Sequence, residues 1–332
     1  MNLPLPLRLL LWPLSVLYGL ATSWRAALYA KGILQPKRLN RPVISVGNLT
    51  VGGTGKTPMV IWLAQHLMSD RKRVGILSRG YKGNGETSDE IELLKFRLRE
   101  RPRFGIGPNR YEEGKKLESS VDVFILDDGF QHLQLARDVN VLLIDASQPL
   151  GKQTMLPTGR LREPISAMTR ADLLIFTRTE TVPGTTAAVD KFEDYPVFSA
   201  RTRLRGFRRF EAAQELLSAA EIGAGPFYAF CGIGNPRAFF QDLKNWNISI
   251  AGQSEFRDHH HYDARDVSEI ETAAKDVSAK AILTTEKDAQ NLTDTKFSHL
   301  PAYVVVIDFE ISKEEALLGI IREKLESRKF VA

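Results

Sequence analysis

The chain has 332 residues, 43% of them hydrophobic and 26% charged, which is enough for one large α/β domain with additions or for two domains with a sizeable core. Cys231 is its only cysteine, which excludes an intramolecular disulfide and a cysteine-rich metal centre and fits a reducing compartment, the cytoplasm. The formal charge is +5, from 45 basic and 40 acidic residues, and its distribution carries more meaning than its size.

The first predicted element is apolar. Leu9 to Trp24 carry no charge, and no Asp or Glu precedes Asp70, whereas Arg8, Arg25, Lys31, Lys37, Arg38, Arg41 and Lys56 all stand in that stretch. At 1.5 Å per residue the uncharged positions span roughly 24 Å, short of the ~30 Å hydrocarbon core. Pro13 is expected to kink a helix there. Trp12, Tyr18 and Trp24 with basic flanks predict a helix at a membrane interface, drawn to an anionic cytoplasmic leaflet. Two other readings stand beside it. A cleaved signal peptide has regions in this order, but a cytoplasmic phosphate loop begins soon after; the other is a buried amphipathic helix packed on the domain.

That loop follows a β-branched run, Val43 to Val46, and precedes an apolar helical segment, Met59 to Met68. Strand, glycine-rich turn and helix in this order suit a phosphate-binding loop. Gly52, Gly53 and Gly55 let backbone N–H groups close on phosphate oxygens at the positive end of the helix. The run Thr50, Val51, Gly52, Gly53, Thr54, Gly55, Lys56 and Thr57 is therefore the predicted ATP-binding segment, with Lys56 on the β- and γ-phosphates and Thr57 on Mg²⁺. Thr50 stands where the general pattern begins with glycine. An unrelated glycine-rich turn is the competing reading.

Strands are predicted at Arg73–Leu77, Val121–Leu126, Val139–Ile144 and Asp172–Phe176, with a helix at Asn109–Ser119. Continuous apolar strands alternating with helices indicate a parallel sheet covered on both faces. Arg79 to Gly107 read mostly as loop, and Thr177 to Thr186 as a boundary. Arg201, Arg203 and Arg205 alternate with Thr202 and Leu204, a strand with one basic face; it is either a solvated edge strand or a patch for an anionic group. A second α/β unit follows. Its strands are Phe227–Cys231, Ile248–Ile250, Ala281–Thr284 and Tyr303–Ile307, and its helices Arg237–Asn245, Ala264–Ser278 and Lys313–Glu326. The turn Gly232-Ile233-Gly234 lacks the third glycine of a dinucleotide fingerprint and reads as structural. The fold class is thus α/β: a helix at the membrane interface (1–30), a P-loop NTPase-type parallel-sheet domain (31–200), and a smaller α/β domain (201–332) contributing to the substrate cleft.

Phosphoryl transfer also needs a carboxylate to organise magnesium and a group to deprotonate or orient the acceptor. The Val121 strand ends in Asp127-Asp128, the Walker B arrangement, and two adjacent carboxylates are costly to bury without a cation. Gly129-Phe130-Gln131-His132 is expected at the same sheet edge. A second acidic pair, Asp89-Glu90, lies in the long loop. Asp258-His259-His260-His261-Tyr262 holds three of the six histidines. Consecutive residues cannot all face one ion, so a histidine acting as base or orienter with a carboxylate partner is preferred; which of the three acts is open.

The order of these motifs resembles the tetraacyldisaccharide 4'-kinase family of the lipid A pathway. The matching stretches are Ser45 to Thr50 with Gly52 to Pro58, Leu77-Ser78-Arg79-Gly80-Tyr81, Asp89-Glu90, Asn109-Arg110-Tyr111, Asp127 to His132 and Leu135 to Asp138. They continue with Leu156-Pro157, Gly159, Leu161 to Pro164, Gly232 to Pro236, Asp258-His259 and Thr285-Glu286-Lys287-Asp288. The resemblance implies an ATP- and Mg²⁺-dependent kinase acting on the 4'-hydroxyl of a membrane-embedded lipid disaccharide. In it Lys56 and Thr57 handle phosphate and magnesium, Asp127 and Asp128 complete the metal site, Glu90 assists there, and Asp89 pairs with His259 to activate the hydroxyl. It also implies that the N-terminal helix docks on the cytoplasmic face of the bacterial inner membrane, as a peripheral or monotopic protein; Thr50 is itself a family habit. The sequence departs from the pattern in a shorter stretch from Tyr81 to Asp89, in Ser88 for a glycine, and in Gly151-Lys152-Gln153-Thr154 for Gly-Asn-Gly-Arg. A membrane-associated NTPase switch or metal chaperone is the reading of another class, and a pure anion-binding module a third. Thr285-Glu286-Lys287-Asp288 has the wrong order for a guanine-specific motif. Neither nucleic acid nor a protein partner is implied.

Overall fold

The structure, a computed structural model, describes residues 4–80, 88–148, 150–181, 192, 194–210, 215–292 and 296–328. Tyr81, the shortened stretch before Asp89 and the part of the boundary segment beyond Thr181 lie outside the described residues. Chain contacts divide the protein into two compact units: Met1–Tyr81, Arg97–Arg201 and Phe309–Ala332 form one, Lys82–Phe96 and Thr202–Asp308 the other.

The first unit begins with helix α1, Leu5–Ala30. Its 26 residues amount to about 39 Å at 1.5 Å each, so it exceeds the interfacial segment expected from the uncharged run. The helix continues through Arg8 and Arg25, and it contains Pro13. It is long and apolar enough to cross a membrane by length and composition. The reading of a buried amphipathic helix fails: Leu9, Leu10, Trp12, Leu17, Leu20 and Trp24 are exposed, and of α1's residues only Ser15 is buried.

A parallel sheet forms the core of this unit. Its strands are β1 (Val43–Asn48), β2 (Val74–Ser78), β3 (Arg103–Ile106), β4 (Val123–Asp127), β5 (Val139–Asp145) and β6 (Leu173–Thr177). They lie in the order β6-β5-β1-β4-β2-β3. Every residue of β1, β2, β4, β5 and β6 is buried, which is why they read as unbroken apolar runs rather than alternating ones. Helix α2 (Lys56–Ser69) packs on the sheet through Met59, Val60, Leu63 and Leu67. The stretch expected to be mostly loop contains helix α3 (Asp89–Leu98) and β3 instead. Charged residues between Ile91, Leu94 and Leu98 masked the helical period of its buried face, and β3 is short and, among the described residues, paired only to β2. Helix α4, Arg110–Leu117, is capped by Asn109.

β7 (Val197–Arg209) starts in this unit, where Val197–Ala200 pairs with β6, and it has a strand on either side, so of the two readings of residues 201–205 the solvated edge strand fails. Its later residues belong to the second unit, with the two-residue β8 (Leu216–Leu217) antiparallel to it. There β9 (Phe227–Cys231), β10 (Ile250–Glu255), β11 (Ala281–Thr285) and β12 (Ala302–Ile311) run parallel in the order β10-β9-β11-β12. β10 begins where the strand Ile248–Ile250 was expected to end. Its alternating, half-exposed pattern carries few apolar residues to announce it, and among the described residues only β9 pairs with it. Helices Pro236–Asn245 and Ala264–Asp276 bury Phe239, Leu243, Val267 and Ile270 in this unit.

Candidate active site

The phosphate-binding loop belongs to the first unit. β1 lies between β4 and β5, so the loop after it leaves the sheet beside the tip of β4, the side on which open α/β sheets bind ligands. Gly55 is in the left-handed region (φ 85°) directly before α2. A Cβ there would also lie 2.5 Å from the Phe309 ring, so both conformation and space require glycine. No side chain caps α2, and its first turn has no acidic residue. Its leading N–H groups are thus left for an anion.

Side chains hold the loop from outside. Asn48 donates through Nδ2 to the Thr50 carbonyl and to Thr54 Oγ1, both at 2.8 Å. Thr177 Oγ1 donates to the Thr54 carbonyl at 3.1 Å. Val51 N–H donates to the Arg160 carbonyl, and the Arg160 guanidinium donates back to the Val51 carbonyl at 2.7 and 3.0 Å. Lys56 Nζ stands 3.5 Å from Asn48 Oδ1 and 3.6 Å from Asp128 Oδ1. Thr57 follows it in the first turn of α2.

The carboxylates Asp127 and Asp128 lie at the end of β4. Asp127 is buried and accepts from Ser78 Oγ at 3.1 Å. Asp128 adopts φ 47°, a left-handed conformation uncommon outside glycine, and turns its carboxylate to Arg162 Nη1, which donates at 2.7 and 2.9 Å. Burial acts to raise its pKa, but the Lys56 and Arg162 cations outweigh it and hold the group below the usual carboxylate range. Arg110, buried at the start of α4, has its pKa lowered by burial and by Arg79, while the charges of Asp127 and Asp128 oppose that change. His132 is held neutral, at about 4, by burial and by Arg110, Arg137 and Arg25.

These residues fit the ligands the sequence implies. An uncapped helix N-terminus with Lys56 beside it suits a nucleotide's phosphates. Among the described residues no three His, Cys, Asp or Glu side chains form a metal cage. Mg²⁺ is ordinarily held by one or two carboxylates together with phosphate oxygens, and Asp127, Asp128 and Thr57 are such a donor set.

The second unit carries a separate cluster of its own. Asp89 opens α3, buried, with the Glu90 N–H donating to its Oδ1 at 2.9 Å. His259 has φ 61°, the second left-handed non-glycine residue at the candidate site. Its N–H donates to the Gly232 carbonyl at 3.1 Å, and a Cβ on Gly232 would lie 2.8 Å from the Arg257 carbonyl oxygen. The glycine turn is therefore structural, holding the histidine segment close. His259 Nδ1 lies 2.9 and 3.0 Å from the Asp89 carboxylate oxygens, and Asn291 Nδ2 donates to Asp89 at 3.2 Å. The hydrogen bond to Asp89 raises the His259 pKa against burial and Lys287. Burial pushes the Asp89 pKa up, but His259, Lys287 and Asn291 together bring it below its ordinary value. Of the three consecutive histidines, His260 bonds instead to Asp266 at 2.8 Å.

A family model for tetraacyldisaccharide-1-P 4'-kinase matches residues 7–326. The chain belongs to the tetraacyldisaccharide 4'-kinase family. Relatives named tetraacyldisaccharide 4'-kinase from Geobacter metallireducens and Geobacter sulfurreducens are each 41% identical to it. The first aligns over 85% of this chain and 88% of the relative, the second over 89% and 87%. The crystal structure of LpxK from Aquifex aeolicus in complex with ATP superposes with a TM-score of 0.75 at 33% identity, covering 96% of this chain and 99% of that one. The family's Asp127-Asp128 and loop residues fall together in the first unit, while Asp89, Glu90 and His259 fall in the second. Sequence reasoning gave no role to Arg162, Arg110, Lys287 or Asn291. The first three lie in matched stretches, which was the one signal available; Asn291 had none.

Proposed function

We infer that this chain is an ATP-dependent kinase that transfers the γ-phosphoryl group to the 4'-hydroxyl of a tetraacyl disaccharide 1-phosphate in lipid A biosynthesis. The observation that favours a kinase over an NTPase switch is the His259–Asp89 pair, because a switch needs no base for an alcohol acceptor. Lys56 and the backbone N–H groups of Gly52 to Thr57 bind the nucleotide phosphates. Mg²⁺ supplies charge neutralisation at the transferring group when bound, held by Asp127, Asp128 and Thr57; Glu90 is assigned to it from the family resemblance. His259 keeps its Nδ1 proton, hydrogen-bonded to Asp89, and takes the hydroxyl proton at Nε2. The hydroxyl oxygen bonds to the γ-phosphorus, the bond to the β,γ-bridging oxygen breaks, and Asp89 stabilises the imidazolium. The products are ADP and the 4'-phosphorylated lipid.

The acyl chains remain in the bilayer, and α1 is the docking element at the cytoplasmic face of the inner membrane. Its middle is tied to the first unit: Ser15 Oγ and Thr158 Oγ1 are 2.8 Å apart, and Thr158 N–H donates to Ser15 at 3.1 Å. A crossing helix has its middle at the bilayer centre, away from any soluble unit, so this tether supports a helix lying in the interface. Arg8, Arg25 and Lys31 suit an anionic surface.

Purified protein incubated with ATP and a tetraacyl disaccharide 1-phosphate is expected to give a lipid heavier by one phosphate, with ADP release dependent on the lipid. Equal ATP hydrolysis without the lipid overturns the reading in favour of a switch. Sedimentation with anionic vesicles is expected to fall sharply for Leu17→Glu with Leu20→Glu; unchanged co-sedimentation overturns the role of α1.

A further inference from the structure

The base half of the site contains a cation to which the reaction as derived gives no part. Lys287 lies in the motif Thr285-Glu286-Lys287-Asp288, at the start of the short helix Glu286–Gln290. Asp288 fixes the backbone there. It is fully buried and accepts from Thr285 Oγ1 at 2.6 Å, from the Tyr262 hydroxyl at 2.8 Å and from the Gly232 N–H at 2.8 Å. The same corner therefore positions Lys287 and the Gly232 turn that carries His259. From it Lys287 Nζ reaches Asp258 Oδ1 at 2.8 Å, His259 Nε2 at 3.2 Å and Asp89 Oδ2 at 3.7 Å.

An ammonium group can only donate. With Lys287 on Nε2, that nitrogen must accept, and the ring proton must sit on Nδ1, where Asp89 takes it. One tautomer is selected, and it is the one in which Nε2 keeps the lone pair a base needs. Without the cation, carboxylates face both ring nitrogens, Asp89 at Nδ1 and Asp258 3.9 Å from Nε2. Either tautomer and the imidazolium would then be tolerated.

We propose that Lys287 is the positioning residue of the base: it holds His259 as the Nδ1–H tautomer and cedes Nε2 to the acceptor hydroxyl while remaining anchored on Asp258. The proposal rests on His259 being the base. Among the described residues, charged groups facing His259 include Asp89 from α3, Lys287 from its own short helix and Asp258 from the histidine loop, with Glu90 acting on Lys287. Asp89 and Asp258 favour the protonated ring and Lys287 opposes it.

The test uses the full-length enzyme with Lys287→Met, Lys287→Ala, Lys287→Arg and His259→Ala. Lys287→Met is expected to lower kcat by about 10–100-fold, less than the ~10²–10⁴-fold loss of the base itself, with KM for ATP unchanged. Its activity profile should fall off at a higher pH on the acid side than that of the unaltered enzyme. In ¹⁵N-histidine-labelled protein, the His259 signals should change from a single neutral Nδ1–H form to a mixture with the imidazolium. Methylamine or ethylamine should restore part of the activity of Lys287→Ala, and Lys287→Arg should retain more activity than Lys287→Met; neither follows from a structural role. Wild-type kcat in Lys287→Met, or an unchanged His259 tautomer pattern, overturns the proposal. So does a kcat loss accompanied by a tenfold rise in KM for ATP with the tautomer intact, which would place Lys287 on phosphate. Wild-type kcat in His259→Ala instead removes the base assignment, so the two failures are distinguishable.

Discussion

The two units prepare their chemistry by different means. In the first, the phosphate-binding loop is one contiguous segment held from outside by Asn48, Thr177 and Arg160 through hydrogen bonds to its carbonyls and to the Thr54 hydroxyl, none of them an ion pair. What matters there is where the N–H groups point. In the second, Asp89, His259, Asp258, Lys287 and Asn291 come from three segments separated by up to 202 residues, and what joins them is charge. The difference teaches that one half is sensitive to backbone geometry and the other to protonation state.

The comparison is broken most severely in the first unit. Lys56→Ala removes one of the two cations beside Asp128 and the proposed phosphate contact. Lipid phosphorylation is expected to fall by more than about 10²–10³-fold, the scale of losing one preorganised electrostatic contact, while circular dichroism and thermal unfolding stay near those of the unaltered protein. Turnover near the unaltered rate would remove the loop from the mechanism.

In the second unit, Asp89→Ala and His259→Ala are each expected to lower kcat by about 10²–10⁴-fold. Because the two side chains act as a unit, the double variant should lose little more than the worse single one. A double variant whose losses multiply, measured by initial rates at saturating ATP and lipid, would show that the pair does not act together.

This contrast also explains what could be read from the chain. The loop from Gly52 to Thr57 and the Asp127-Asp128 strand tip were legible because the residues that act together are neighbours in sequence or close a buried apolar strand. Arg162 was not, since nothing local says that a guanidinium 34 residues on will reach Asp128. The stretch containing Asp89 read as loop because the charged face of α3 hides its period, and its place in the second unit arises from contacts far away in sequence. Lys287 could be matched as part of a motif, but only the fold brings its ammonium to His259 Nε2. The N-terminal helix was foreseen from the uncharged run and its basic flanks, but that run from Leu9 to Trp24 is only its middle, because Arg8 and Arg25 lie inside the helix.

The protonation half makes a signed prediction about pH. Hydrogen bonding to Asp89 raises the His259 pKa above the ordinary value of about 6.5. A base must be unprotonated, so kcat is expected to be full above that raised value and to be lost as pH falls through it. Asp89, lowered, stays ionised over the same range. Asp89→Asn removes the main raising interaction, so its residual activity should fall off at a lower pH than that of the unaltered enzyme. A profile displaced upward, from rates measured across about pH 5–9, would contradict the assignment.

The smallest expected effect on rate lies where α1 meets the first unit. Ser15→Ala removes the hydroxyl that accepts the Thr158 N–H and bonds its side chain, leaving buried polar groups unsatisfied at a cost of about 1–3 kcal/mol. Thr158 belongs to the segment that leads to Arg160, whose backbone and guanidinium hold Val51, yet Arg160 is anchored there by its own hydrogen bonds. The loop should therefore keep its geometry: thermal unfolding shifts downward while kcat with soluble, detergent-dispersed lipid stays within about twofold, as for substitutions away from the chemistry. If kcat instead fell in parallel with stability, the phosphate loop would depend on the docked helix for its shape, and the first unit would be less self-contained than its hydrogen bonds make it.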